Sequence, residues 1–186
     1  RKTLNKYDKV LDKQRAILYE FRKKILISSS IKTILLEFGE AVIDDIIPYI
    51  EKKSYQIVIP NHIYYLLQAL NLSSKKDTKF TNLKELKTLL YEQFWSIYFL
   101  KELNFWFFDI ELFRRYEKLV VLKYIDIYWS KHLDNMNFLK DAVTWEKKKK
   151  KDPFIQYEEQ ASTLFNNTFK QCRNAIIYAL LNIEVI

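Results

Sequence analysis

Residues 112–145 read LFRRYEKLVVLKYIDIYWSKHLDNMNFLKDAVTW, and residues 146–153, which follow directly, read EKKKKKDP. Apolar side chains recur through the first stretch at steps of three or four residues, with one longer gap, and this spacing predicts one long amphipathic helix. A second apolar stripe runs from residue 157 to residue 183. Two long helices joined by a short polar turn bury both stripes when they lie antiparallel. We therefore predict an antiparallel helical pair whose first helix buries Tyr116, Leu119, Leu122, Trp129, Leu133, Met136, Leu139 and Val143.

The rest of the chain also has a helical pattern. Apolar spacing predicts a helix over residues 2–27, in which Gln14 takes a position of the stripe that is otherwise apolar. A second helix is predicted after the serines at 28–30, and residues 83–108 are helical in pattern and heavily aromatic. Residues 57–59 favour a small strand. The sequence therefore predicts an all-α fold.

Scarce residue types exclude several classes of site. Gly39 is the only glycine, so the chain lacks a glycine-rich loop of the kind that cradles nucleotide phosphates. Cys172 is the only cysteine, which excludes an intrachain disulfide and a multi-cysteine zinc site. There are two histidines, and we interpret His132 as a histidine at the edge of the core instead of a metal ligand. We predict no catalytic, cofactor-binding or metal-binding residues. General acid–base catalysis needs two carboxylates that converge on one site, whereas the adjacent pairs Asp44–Asp45 and Glu158–Glu159 point to different helical faces.

The charge balance is basic. Lys and Arg number 31 against 23 for Asp and Glu, which gives a net charge of +8 at pH 7 and favours anionic or phosphate-bearing partners. Five lysines are consecutive at residues 147–151. We interpret this run either as a solvated loop or as a contact with anionic lipid headgroups, ribosomal RNA or an acidic partner.

Four segments of the chain resemble one protein family. They are RKTLNKYDKVLDKQR at residues 1–15, IDIYWSKHLDNMNFL at 125–139, KDPFIQY at 151–157 and IEV at 183–185. In this order and at nearly the same spacing, they resemble segments of the SecA family of preprotein translocase ATPases. The resemblance is specific at both ends of the chain and looser in the middle.

The resemblance implies the helical scaffold and wing region of that motor. By this resemblance, residues 1–38 form a long scaffold helix, residues 39–111 a small helical wing, and residues 112–186 a two-helix finger with its loop at 146–153. The finger loop would enter the mouth of a SecY-type channel and contact the translocating polypeptide through Lys147, Lys148, Lys149 and Lys150. The packing of the finger on the scaffold would involve Trp129, His132, Leu133 and Met136.

The finger loop departs from the family pattern. The family usually reads close to LRGYAQKDP where this chain reads WEKKKKKDP at residues 145–153. Lys148 therefore stands in the place of a tyrosine, and Lys147 in the place of a glycine. An aromatic ring can make apolar contact with a passing polypeptide, whereas the strongly hydrated ammonium group of lysine makes such contact poorly. The departure leaves the polypeptide-pushing role open for this chain.

The resemblance implies coupling without catalysis by this chain. The chain would link an ATP-driven motor to polypeptide movement, with ATP and Mg²⁺ bound by motor domains that lie upstream in the same polypeptide or in a separate chain. We therefore expect no ATP hydrolysis by this chain alone, and the opening residue Arg1 suggests a fragment or a processed product. Its partners would be the SecY-type channel, the preprotein and the motor domains. A composition rich in lysine and isoleucine resembles that encoded by an AT-rich organellar genome. The family resemblance implies the plastid stroma or the cytoplasm, peripheral to the thylakoid or the plasma membrane.

Two other functions stay open from the sequence. One is a motorless basic helical module that binds RNA or the ribosome, and the other is a structural subunit of an organellar membrane complex. Outside the wing the basic residues are not interleaved with exposed aromatic residues, which disfavours a nucleic-acid surface. The aromatic cluster of the wing comprises Phe94, Trp95, Tyr98, Phe99, Phe105, Trp106, Phe107 and Phe108. We interpret it as the core of the wing, with some rings left exposed as a surface for a partner.

Overall fold

The computed structural model describes residues 2–53, 56–58, 67–70, 82–145 and 152–183. Within these residues the chain is mainly helical, which confirms the predicted all-α fold. The long helices are α1 (Lys2–Ile27), α2 (Lys32–Ile46), α3 (Leu83–Trp106), α4 (Ile110–Trp145) and α5 (Pro153–Leu181).

A short irregular region follows α2. A 3₁₀ turn covers Ile47–Tyr49, and strand β1 (Glu51–Lys53) pairs antiparallel with strand β2 (Gln56–Val58). Two residues of the predicted strand, Ile57 and Val58, therefore lie in β2. Its partner β1 escapes prediction because glutamate and lysine are depleted in strands.

The chain divides into two compact units. Unit 1 comprises residues 1–29 and 121–172, and unit 2 comprises residues 30–120 and 173–186. The division into a scaffold helix, a wing and a finger, with boundaries after residues 38 and 111, stays a prediction.

In unit 1, helices α1 and α4 run antiparallel. Near the start of α1, Asp8 Oδ1 accepts a hydrogen bond from Lys140 Nζ at 3.2 Å. Near the end of α1, Arg22 pairs with Asp126. Residue numbers therefore rise along α1 as they fall along α4.

Helix α5 runs parallel to α1 in the same unit. The rings of Tyr7 and Tyr157 lie 4.6 Å apart, and those of Phe21 and Phe169 lie 5.9 Å apart. Since α1 is antiparallel to α4, the helices α4 and α5 are antiparallel to each other within unit 1, as predicted. The three helices share an apolar cluster of buried residues: Tyr7, Met136, Val143, Tyr157 and Ala161.

The start of α5 has the signals that the sequence predicts. Pro153 is its first residue, where a missing backbone N–H costs no hydrogen bond. Asp152 Oδ1 accepts a hydrogen bond from the backbone N–H of Phe154 at 2.9 Å and so satisfies one of the free donors of the first turn.

In unit 2, α2 and α3 pack closely at Gly39. The buried ring of Phe94 lies so near that a Cβ at residue 39 would come within 2.5 Å or less of three ring carbons. Beside this contact, Trp95 Nε1 donates to Glu40 Oε1 at 3.1 Å. The single glycine of the chain therefore allows two helices to approach each other.

Stacked rings hold the turn between α3 and α4. Phe105 stacks on Phe113 with ring centroids 4.9 Å apart. Asp109 Oδ1 accepts from the backbone N–H of Leu112 at 3.1 Å, which caps the start of α4.

One part of the predicted stripe on α4 is wrong. Leu119 is 65% exposed, and the face that α4 buries in unit 2 is formed by Phe113, Glu117 and Val120. The sequence pattern fails because a glutamate normally faces solvent, whereas the charge of Glu117 is paired inside the unit.

Candidate functional site

The two groups of predicted functional residues differ in what the structure describes. Lys147, Lys148, Lys149 and Lys150 lie outside the described residues, so their contacts with a channel or a polypeptide stay a prediction. Trp129, His132, Leu133 and Met136 lie on α4 within unit 1.

His132 is buried between three helices and is 1% exposed. Its Nε2 lies 2.8 Å from Oε1 of Gln14 on α1. Its Nδ1 lies 3.5 Å from Oγ1 of Thr168 on α5, and its ring packs edge-on against Phe165 with centroids 5.4 Å apart. His132 therefore contacts both of the helices that pack against α4.

Gln14 is the buried polar partner of His132 on α1 and is 6% exposed. Its Nε2 donates to the carbonyl oxygen of Ala161 on α5 at 3.1 Å. An amide side chain can bridge two helices in this way because it carries both a donor and an acceptor. We call Gln14, His132, Thr168 and the carbonyl of Ala161 the polar junction.

The hydrogen-bond network assigns the proton on His132. The amide N–H of Gln14 is used by Ala161, so Gln14 Oε1 accepts and His132 Nε2 donates. The hydroxyl of Thr168 donates to the carbonyl of Leu164 at 2.8 Å. Burial lowers the pKa of His132 below its ordinary value of 6.5, so the ring is neutral at pH 7.

The other predicted residues on α4 lie around the polar junction. Met136 is buried within the apolar cluster of unit 1. Trp129 is half-buried, and its ring centroid lies 5.4 Å from that of His132. Leu133 is half-buried. Any role of these residues in transmitting the position of the finger stays a prediction.

A small apolar pocket lies beside the junction. Its volume is about 20 Å³, and Leu18, Trp129, Phe169 and Cys172 are among its lining residues. A space of this size is too small for a cofactor, and the side chains that line it are mainly apolar. Burial raises the pKa of the Cys172 thiol to about 12, so the thiol is unreactive and serves packing.

Unit 2 contains a buried charged cluster that the sequence analysis missed. Glu117 is fully buried, accepts from the hydroxyl of Tyr98, and has both carboxylate oxygens 3.0 Å from Nη1 of Arg114. Arg114 also pairs with Glu102, which lies 2.6 Å from Nζ of Lys32. These five residues, which we call the charged cluster, join α2, α3 and α4.

The pKa values within the charged cluster follow from burial and pairing. Burial raises the pKa of Glu117 and of Tyr98 above their ordinary values. Burial alone would also raise the pKa of Glu102, but hydrogen bonds from Lys32 and Arg114 outweigh it and lower that pKa. The signal for this cluster in the sequence is weak, since Arg114 and Glu117 are three residues apart like many exposed pairs.

The aromatic residues of α3 and the following turn divide into two sets. Phe94, Tyr98 and Phe105 are buried and share one helical face, because they are four and seven residues apart. The other rings of the predicted cluster are exposed, namely Trp95, Phe99, Trp106, Phe107 and Phe108. The last three of these are consecutive and lie at the turn. The turn therefore presents an accessible apolar patch.

Comparison with known proteins identifies the family. A family model described as the SecA Wing and Scaffold domain matches residues 1–184. The chain belongs to the SecA family. It is 35% identical to the protein translocase subunit SecA of Thalassiosira pseudonana, over 98% of this chain and 21% of that protein.

Other SecA proteins give a similar result. The identity is 33% to the protein translocase subunit SecA of Gracilaria tenuistipitata var. liui, over 100% of this chain and 21% of that protein. It is 30% to that of Synechococcus sp. (strain RCC307), over 97% of this chain and 20% of that protein. This SecA-family chain thus spans about a fifth of the length of the curated relatives that it matches, and it corresponds to their scaffold and wing region.

Within its described residues, this SecA-family chain has neither a candidate metal-binding group nor a candidate membrane-spanning helix. Across the described ranges, no group of three His, Cys, Asp or Glu side chains is placed to hold a metal ion. In the same part of the chain, no helix combines the length and the apolar character needed to cross a bilayer.

Sequence reasoning singles out only part of the polar junction of this SecA-family chain. His132 belongs to the predicted packing group, and Gln14 is visible as a polar residue inside an apolar stripe. Their pairing is not visible, because it joins residues 118 positions apart. The role of Ala161 lies in its backbone carbonyl, which no side-chain pattern reveals.

Proposed function

We propose that this chain is the scaffold and wing part of a SecA-like translocase, coupling an ATP-driven motor to polypeptide movement through a SecY-type channel. The family match over residues 1–184 and relatives named protein translocase subunit SecA support this function. In this proposal ATP and Mg²⁺ are bound by motor domains, and this chain alone does not hydrolyse ATP.

The observation that carries the proposal is the contact of α1 with both helices of the finger, by which we mean α4 and α5 of unit 1 and the loop between them. Gln14 bonds to His132 on α4 and to the carbonyl of Ala161 on α5. Buried hydrogen bonds between helices restrain the helices that they join. A displacement of α1 would therefore pass to both helices of the finger together, with Trp129, Leu133 and Met136 supplying apolar packing around the polar junction.

The tip of the finger is the proposed contact with the channel. Lys147, Lys148, Lys149 and Lys150 connect the two helices in sequence and place four positive charges there. Lysine suits acidic groups at a channel mouth or anionic lipid headgroups better than it suits an apolar grip on a polypeptide. We therefore propose an electrostatic docking role for the tip, with the preprotein as a further partner.

The proposed location is the plastid stroma, peripheral to the thylakoid membrane. Algal relatives and a composition rich in lysine and isoleucine support a plastid location. The alternative, supported by the relative from Synechococcus, is a cytoplasmic protein at the plasma membrane.

A motorless module that binds RNA or the ribosome is the second candidate function. The net charge of +8 and the exposed rings of Trp106, Phe107 and Phe108 favour it, because a basic surface with accessible rings can stack bases.

Binding of the 186-residue chain to lipid nanodiscs distinguishes the two functions. We expect saturable binding to discs that contain a SecY-type channel, well above binding to empty discs of the same lipid, and weaker binding after Lys147–Lys150 are changed to Ser. Equal binding to loaded and empty discs would reject the channel proposal. Binding to ribosomes or RNA without binding to the channel would select the second function.

A further inference from the structure

The apolar contacts of unit 1 do not by themselves determine how far α1 and α4 are shifted along each other. Buried apolar residues recur on both helices at helical intervals: Tyr7, Leu18 and Ile25 on α1, and Ile125, Met136 and Val143 on α4. If one helix slid by one turn, about 5.4 Å, apolar side chains would again face apolar side chains. Another interaction must therefore select one register.

The polar junction interrupts this repeating pattern. Within the part of unit 1 that the structure describes, Gln14 and His132 are the buried polar side chains. A slip by one turn would move Gln14 from His132 to the mainly apolar surroundings of Met136 or, in the other direction, of Trp129. Both Gln14 and His132 would then lose hydrogen bonds in a dry interior, where an unsatisfied polar group is costly.

We propose that Gln14 and His132 set the register of the finger helices α4 and α5 against α1. A single buried polar pair has this effect in helical assemblies whose apolar seam would accept several registers. Gln14 fixes α5 as well as α4, since the carbonyl of Ala161 has a second lone pair for it. This register is a property of the folded chain whether or not the chain binds a channel.

The ion pairs at the edges of the α1–α4 contact cannot replace the junction. Arg22–Asp126 and Lys140–Asp8 have exposed partners, with the carboxylate side chains 61% and 56% exposed. Long side chains at a solvated surface can follow a slip, and exposed pairs contribute little. The buried pair is therefore the contact that discriminates between registers.

Spin-label distances in the full chain test the inference. Labels are attached at Lys24 on α1 and Asn135 on α4, both exposed, in a Cys172→Ala background. Because Gln14 lies opposite His132 on the antiparallel helix, these two residues are about 20 Å apart along the helix axes, so a slip along the axis changes their distance by nearly its full length. For the native junction we expect one narrow distance distribution. The double variant Gln14→Leu/His132→Leu removes both partners together, so it should still fold, but its distribution should gain a second population displaced by about 5 Å, one helical turn.

Two matched variants separate the polar junction from packing in general. His132→Gln can still bond to Gln14 and should keep the narrow distribution, as should the volume-conserving Leu18→Met in the same seam. A single narrow, undisplaced distribution in the double variant would overturn the inference, and so would equal broadening in Leu18→Met. Should the double variant not fold, Gln14→Asn, whose amide is one methylene shorter, must broaden the distribution, and a narrow one overturns the inference.

Discussion

Gly39 offers the sharpest test of the packing in unit 2. The substitution Gly39→Ala adds one methyl group to a buried position of α2. That methyl would lie within 2.5 Å or less of three ring carbons of Phe94, well inside van der Waals contact. The ring of Phe94 is 1% exposed and has little freedom to move aside.

Two opposing effects set the size of the change. Alanine is favoured over glycine inside a helix by about 1 kcal/mol. Overpacking a well-filled core costs about 1–3 kcal/mol, and the depth of the overlap with Phe94 places this site at the upper end of that range. We therefore expect Gly39→Ala to lower the free energy of unfolding of unit 2 by about 1–2 kcal/mol.

Hydrogen exchange of the α2 and α3 amides, combined with urea unfolding, measures this change and reports on unit 2 separately from unit 1. As a control, Phe94→Leu removes part of the ring, so it should cost at least about 1 kcal/mol less in the Gly39→Ala background than in the native chain. A Gly39→Ala chain that is more stable than the native chain would refute the reasoning, because the helix preference would then act without any steric cost.

Three further predictions concern charge. The pKa of His132 is lowered in the folded state, so as the pH falls the unfolded chain takes up this proton first, and the folded chain loses stability below about pH 6.5. Thermal unfolding at pH 7.5 and at pH 5.5 should therefore show a smaller loss of stability in His132→Gln than in the native chain. Arg114→Leu leaves Glu117 buried without its cation and should cost about 3 kcal/mol at pH 7 in urea unfolding; Arg114→Leu/Glu117→Gln, which removes the unpaired charge and keeps an acceptor for the Tyr98 hydroxyl, should recover part of that cost. Changing Lys147–Lys150 to Ser should weaken binding to anionic vesicles at low salt, since each lysine near such a surface contributes about 1 kcal/mol, as measured by vesicle sedimentation.

Each of these predictions has a contradicting outcome. An identical pH dependence in the native chain and in His132→Gln would show that His132 does not titrate differently on unfolding. A double variant at Arg114 and Glu117 that is no more stable than Arg114→Leu would show that the pairing is not the source of the cost. For the lysine run, the matched control changes four exposed lysines of α1 to Ser, namely Lys9, Lys13, Lys23 and Lys24. An equal loss of vesicle binding in this control would mean that only the net charge of the chain matters.

The elements that could be predicted are those whose burial follows an apolar repeat. The stripe of α1, including the polar position at Gln14, predicts a helix that the structure has as Lys2–Ile27. The Asp152–Pro153 pair predicts the start of α5, because both residues act on the local backbone. These elements could be predicted because the helical repeat of apolar residues and the helix-start residues act within one segment of the chain.

The failures occur where a charged residue is buried. Glu117 occupies the buried face of α4 because Arg114 and Tyr98 satisfy its charge, and this displaces the predicted stripe so that Leu119 is exposed. Tyr98 is 19 residues away from Glu117, and no periodicity marks the pair. The same limitation applies to Gln14 and His132, whose partnership depends on how three helices pack.

Photo-crosslinking from the finger tip tests the central claim, that this chain acts at a protein-conducting channel. A photoreactive amino acid replaces Lys148, and in a matched control it replaces Glu20, which is exposed on α1. With nanodiscs that hold a SecY-type channel, we predict adducts with the channel from position 148 and far fewer from position 20. No channel adduct from position 148 in a chain that is folded and bound to the discs would contradict the account.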